Sequence, residues 1–292
     1  MTYTIYQASS LRAMVRQLLP CAESKNISDS NYCSLGILSR RQKGADEGDE
    51  VECLLYAETH QPSFCMGLGM VLTTEDVEAD NSHCVRVLTR DLDNALASFG
   101  QRMVYMQLQD DGCVMLSTVA TEPEEGDAPQ MSTRRMICVK GEKVEPLTLP
   151  NDAKKADSDC LCGQAGTERD TCILANKTEL LDSLRFSVPL AATRGNGLRR
   201  QGVLLELSPE LMHVEGSNQS MYAMANSRNP WLQAPRGQHQ CMLSPDSVRH
   251  LLSALSCYGD EMALTMTVSK REGDEVSTLT VVCDTVMVIM DC

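Results

Sequence analysis

Four stretches of this sequence repeat one pattern: a short β-like run, a polar break, then apolar residues at i, i+3, i+4 and i+7. They begin near Thr4, Cys84, Cys172 and Gln240. A helical stripe of this kind requires a surface to be buried against, so any fold must give all four helices a common type of partner. The spacing divides the chain into two similar halves. Leu11, Met14, Val15, Leu18 and Leu19 form the first stripe, and Leu92, Ala95, Leu96 and Phe99 the second. Leu180, Leu181, Leu184 and Val188 form the third, and Val248, Leu251, Leu252 and Leu255 the fourth. Helix starts are expected at Ser9 or Ser10, Thr89, Asn176 and Ser244, residues whose side chains can accept from free backbone N–H groups.

After each helix the period falls to two, as a half-buried antiparallel strand requires. Residues 104–108 and 114–119 flank Asp110-Asp111-Gly112 and read as a hairpin. Runs at 202–207, 262–269, 277–283 and 286–290 are equally strand-like. The expected class is α+β, with antiparallel sheets and helices gathered on one face. At 292 residues the chain suits two domains. We place a first domain at 1–150, a polar linker at 151–170 and a second domain at 171–292.

No apolar run is long enough for a membrane helix, and the N-terminus lacks a signal-peptide profile, so a cytoplasmic protein is expected. In a reducing compartment most of the 14 cysteines read as small buried hydrophobes. Cys160, Cys162 and Cys172 form the one cluster with any metal-site character. Their spacing is poor for zinc and no fourth ligand follows, so no metal or other cofactor is expected. Gly195-x-Gly197 lacks the third glycine and lysine of a phosphate loop and reads as a turn. No nucleophile, base and orienting residue are recognisable, and the reading is non-enzymatic; a cysteine-dependent enzyme is the remote alternative.

A net charge of −14 ordinarily argues against a nucleic-acid partner. The acid is unevenly placed, with 16 basic against 27 acidic side chains in residues 1–170 and 10 against 13 in residues 171–292. Much of it falls in turns, whereas Arg12, Arg16, Arg102, Arg185 and Arg249 lie on or beside the helices, and Arg194, Arg199 and Arg200 follow the third. These arginines fit the solvated faces of amphipathic helices, and they equally fit a weak basic surface that holds phosphates without reading bases.

The segment Arg200-Gln201-Gly202-Val203-Leu204-Leu205-Glu206, the strand at Leu211 to Val214, Met221-Tyr222-Ala223 and the ending Val286 to Cys292 resemble the sliding DNA clamps, the bacterial polymerase III beta-subunit type in particular. The resemblance runs from about Leu180 onward; over residues 1–150 it rests on the repeated element order. It implies two clamp-like domains, each with antiparallel sheets outside and two helices on the inner face. Three copies would then supply a six-domain ring, a homotrimer, around double-stranded DNA. The implied role is a processivity or tethering factor for a DNA polymerase or repair protein that docks through a peptide motif, with a clamp loader as further partner. A clamp-like interaction or inhibitory module that does not encircle DNA is the alternative. The eight arginines named above would be DNA-facing, and Met221, Tyr222, Val288 and Met290 would form the partner pocket. Ser220 stands where the family has a DNA-contacting arginine, and Ile289 where its last strand has a proline.

Overall fold

The computed structural model describes residues 2–22, 32–43, 49–61, 64–71, 84–118, 135–145, 147, 167–191, 202–218, 221–256, 262–271, 277–284 and 286–292. They form two units, Met1–Gln61 with Gly67–Leu149, and Pro62–Met66 with Pro150–Cys292.

The first unit runs β1 (Thr2–Gln7), α1 (Ala8–Ala22), β2 (Tyr32–Lys43), β3 (Asp49–Gln61), β4 (Phe64–Val71, whose residues up to Met66 belong to the second unit), β5 (Cys84–Leu88), α2 (Thr89–Ala97), β6 (Met103–Leu108), β7 (Val114–Thr118), β8 (Met136–Val139) and β9 (Gly141–Val144). One sheet has the order β1-β6-β7-β8, and the other strands follow β4-β3-β2-β5-β9. The β6–β7 hairpin is the expected one, with Val104 opposite Thr118 and Leu108 opposite Val114. Its turn needs Gly112, at φ +85°, because a Cβ there would come within 2.5 Å of the β9 backbone at Glu142 and Lys143.

The second unit runs β10 (Thr167–Leu174), α3 (Lys177–Ser187), a 3-10 turn at Val188–Leu190, β11 (Val203–Leu207), β12 (Leu211–Ser217), β13 (Tyr222–Arg228), β14 (Trp231–Gln233), β15 (His239–Leu243), α4 (Pro245–Leu255), β16 (Leu264–Arg271), β17 (Ser277–Cys283) and β18 (Val286–Asp291). Its sheets are ordered β14-β10-β16-β17-β18 and β13-β12-β11-β15. Thr167 to Asp170, inside the stretch read as linker, belong to β10 because they pair with β16 from Arg271 to Val268.

Each unit buries its helical stripes as the periodicity requires. Leu11, Val15 and Leu18 of α1 and Leu92 and Leu96 of α2 are at most 1% exposed, as are Leu180 and Leu184 of α3 and Val248, Leu251 and Leu255 of α4. Burial of one such side chain contributes about 1.5–3 kcal/mol, so the stripes dominate helix docking. Two caps form as the sequence suggests: Asn176 Oδ1 accepts from Thr178 N at 2.8 Å, and Ser244 Oγ accepts from Ser247 N at 3.0 Å. Thr89 departs from expectation. It is the first residue of α2 and wholly buried, and the N-cap is Leu88 with no side-chain bond. The end of α3 lies tightly on β12, where only Gly216 can pass beneath the Ser187 carbonyl.

Candidate nucleic-acid interface and partner surface

The helix arginines meet carboxylates instead of standing as free cations. On the first unit, Arg12 Nε donates to Asp93 Oδ1 at 2.8 Å and its Nη2 to Oδ2 at 3.4 Å, while Arg16 Nε reaches the same Oδ1 at 3.2 Å. The i, i+4 spacing puts both arginines on one face of α1, and Asp93 meets them from α2. Burial alone would raise the Asp93 carboxyl, but the two guanidiniums outweigh it and hold the group below its usual value. Two cations share this one anion.

On the second unit the pairing is local. Arg185 Nη1 donates to Asp182 Oδ1 at 3.1 Å and Arg249 Nη1 to Asp246 Oδ1 at 2.5 Å, each one helical turn apart. Both arginines are about half exposed, so such pairs contribute only about 0.3–0.5 kcal/mol and exchange readily for another anion. Arg102 is exposed just beyond α2, its backbone carbonyl accepting from Ala8 N at 2.9 Å. Arg194, Arg199, Arg200 and Ser220 lie outside the described residues.

The four α-helices carry six basic side chains, Arg12, Arg16, Arg90, Lys177, Arg185 and Arg249, against five acidic ones, Asp91, Asp93, Glu179, Asp182 and Asp246. Lys177 is turned inward. It is wholly buried, and its Nζ donates at 2.7 Å to the Leu255 carbonyl at the C-terminal end of α4, where the helix dipole favours a cation. The remaining helix charges balance. On each unit the paired arginines can meet another anion only by exchange for their own carboxylates.

The four residues expected to form one partner pocket are split. Met221 and Tyr222 are 54% and 57% exposed, whereas Val288 and Met290 have no exposed area. The last two belong to the core because β18 is covered on both faces: Val286, Val288 and Met290 alternate with Met287 and Ile289, which pack with Cys65 and Val282. Met221 and Tyr222 stand at the start of β13, and Met224, 48% exposed, follows on the same side as Tyr222.

Two contacts, one buried and one part-buried, lie outside the sequence reading. Lys177 was detectable in principle, since a lysine in a first helical turn opposes that helix's own dipole and implies a use elsewhere. Asp170, inside the stretch read as linker, ties down residues 236–239: its Oδ2 accepts from Arg236 N at 2.7 Å, Gly237 N at 3.0 Å and His239 Nε2 at 2.6 Å. Burial would raise this carboxyl, and the three donors reverse the sign and lower it.

Cys160 and Cys162 lie outside the described residues. Cys172 is buried in β10 opposite Met266, and burial, aided by the Asp170 carboxylate, pushes its thiol up to about 12. A thiol so displaced is protonated at neutral pH and is neither a nucleophile nor a ready ligand. Among the described residues no group of three or more His, Cys, Asp or Glu is placed to hold a metal ion, and no helix is long and apolar enough to cross a membrane.

The architecture of paired helices on antiparallel sheets, repeated in two units, has counterparts among solved structures. The DNA polymerase sliding clamp of Bacillus subtilis matches with a TM-score of 0.64 at 10% identity, over 99% of this chain and 64% of that one. The DNA polymerase III subunit beta of Pseudomonas aeruginosa gives 0.63 at 11% identity, with the same coverage. The fold is that of the sliding DNA clamps. A third clamp structure, from Helicobacter pylori and bound to a DNA ligase peptide, matches with a TM-score of 0.61 at 8% identity, over 99% of this chain and 65% of its own. The chain therefore spans about two thirds of the length of these clamps. No family model matches the sequence, and no curated protein matches it.

Proposed function

We propose that this chain is a non-enzymatic sliding-clamp homologue that forms a ring around duplex DNA and tethers a replication or repair protein. The observation that carries this reading is the match of 99% of the chain, both units included, to clamps of three bacteria. Two units per copy give six in a homotrimer. Arg12, Arg16, Arg102, Arg185 and Arg249, with Arg194, Arg199 and Arg200 from outside the described residues, are the proposed phosphate contacts. Retention would be topological. The balanced helix charge supplies only a weak, sequence-independent grip, which lets a ring slide. A partner peptide, of the kind the Helicobacter pylori clamp holds from a DNA ligase, would dock at the accessible Met221 and Tyr222, while Val288 and Met290 stay packed in the core. Loading would fall to a clamp loader in the cytoplasm.

The balanced helix charge also favours a second reading: a clamp-like module that competes for clamp partners without encircling DNA. Retention on DNA separates the two. Protein incubated with closed circular duplex and passed through gel filtration at high salt should stay with the circle and be released when the circle is cut. Equal retention on linear and circular DNA, or none on either with a loader present, overturns the ring and leaves the module.

A further inference from the structure

Two pairs of described cysteines bring their thiols into hydrogen-bond contact, Cys113 with Cys138 on the first unit and Cys241 with Cys292 on the second. The second pair joins elements of different sheets. Cys241 lies on β15 opposite Leu205 of β11 and has no exposed area. Cys292 follows β18 and is half-buried. Its backbone is held by β17: Cys292 N donates to the Ser277 carbonyl at 2.7 Å, and Ser277 N to the Cys292 carbonyl at 3.3 Å. By two-residue alternation Cys292 continues the buried row Val286, Val288 and Met290, and Cys241 shares its side of β15 with the buried Leu243. The thiols meet where β15, the end strand of β13-β12-β11-β15, packs against β17 of the other sheet.

The pair differs from an ordinary buried cysteine such as Cys172. The Cys292 S–H donates to the Cys241 sulfur, which holds Cys241 below its usual value against the burial that would raise it, and the same bond, with burial, raises Cys292. The two thiols therefore give up a first proton more readily than a lone buried thiol does, and the proton that remains lies between two sulfurs.

We propose that Cys241 and Cys292 are a peroxide-responsive dithiol that closes to a disulfide and ties the two sheets of the second unit together. This stands apart from the ring reading. Peroxide enters at half-buried Cys292, since Cys241 is covered. Passage of the shared proton to Cys241 leaves the thiolate on Cys292, which attacks one peroxide oxygen. The O–O bond breaks, Cys241 gives its proton to the departing hydroxide, and water leaves. The Cys241 thiolate then attacks the Cys292 sulfenic sulfur, the S–S bond forms, the S–O bond breaks and hydroxide departs. The two sulfurs lose two electrons and one peroxide gains them. In a reducing compartment such a bond is transient and serves as a sensor. While closed, it spans a loop of about 50 residues and removes freedom from the unfolded chain.

The test treats the full chain with hydrogen peroxide, counts free thiols after denaturation and locates cross-linked peptides by mass spectrometry. The treated protein should lose the thiols of Cys241 and Cys292 together, and its Tm should rise by about 5–10 °C, a rise that dithiothreitol reverses. Cys292→Ser, at the more accessible member, should abolish the rise. Cys138→Ser removes the pair on the first unit and should leave both the Cys241–Cys292 cross-link and the Tm rise in place. Peptide mapping of the wild-type chain decides the matter even where a variant folds poorly. A cross-link from Cys241 to any other residue overturns the proposal. So does sulfinic acid at Cys292 with Cys241 still a free thiol, or a peroxide-induced Tm rise that survives in Cys292→Ser. All are read without DNA, so the dithiol and the clamp reading stand or fall separately.

Discussion

Asp93→Asn bears on fold and function with opposite signs. The Asp93 side chain is 11% exposed and receives two charged hydrogen bonds from Arg12 and one from Arg16, whose side chains are 31% and 57% exposed. Charged hydrogen bonds contribute about 1.5–3 kcal/mol when shielded, and exposed ion pairs about 0.2–1 kcal/mol. Asparagine keeps one acceptor oxygen and loses the charge, so the substitution should cost about 1–2 kcal/mol, a loss of about 2–4 °C in Tm per kcal/mol. The depressed carboxyl stabilises the folded state above the ordinary aspartate range and loses that contribution as pH falls through its lower folded value. The deficit of Asp93→Asn should therefore be full at pH 7 and shrink below about pH 4. DNA binding should move the other way. Two guanidiniums lose their shared anion, and if one more phosphate is engaged per copy, the slope of log K against log salt steepens by about 0.9 per copy. Urea unfolding and salt-titrated fluorescence anisotropy on duplex DNA give both quantities from one variant. Unchanged stability would refute the ion-pair geometry. Weaker binding with a normal fold, or an unchanged slope, would refute the assignment of the α1 arginines to DNA.

Lys177→Met removes the cation at the end of α4 while keeping most of its volume; the Leu255 carbonyl loses its buried donor, and chemical denaturation should show a loss of about 1–3 kcal/mol. Met290→Ala should cost about 2–5 kcal/mol as a core cavity, whereas Met221→Ala should stay within about 0.5 kcal/mol and lower peptide binding instead. Equal effects from the two would reject the division into packed and accessible residues. Asp170→Asn should destabilise the second unit at pH 7, and the gap to wild type should close as pH falls below about 4, where the native carboxyl is itself protonated. A pH-independent gap in calorimetry would show that the three donors to Asp170 do not set its acidity.

Periodicity made the helices, the hairpin at Gly112 and the α+β class legible, since a helical stripe or a two-residue alternation is a local property of sequence. The candidate site was legible only in part. The i, i+4 spacing of Arg12 and Arg16 is a local property of α1, but their partner Asp93 is 77 or more residues away in sequence and reaches them only because α1 and α2 pack together. For the partner pocket, apolar character marked Met221 and Met290 alike. Apolar residues serve cores and docking surfaces equally well, so their type could not separate the 54% exposed from the fully buried.

What the sequence by itself determined is therefore the set of elements and their duplication, because hydrophobic spacing dictates which side of each helix and strand must leave water. Tertiary structure alone decided which charges cancel and which edges stay open. Asp93, Lys177 and Asp170 acquire their roles from groups brought across the fold, and β8 and β13 are edges only by sheet order. Hydrogen bonds and ion pairs act over a few ångströms in space, a separation to which distance along the chain gives no guide.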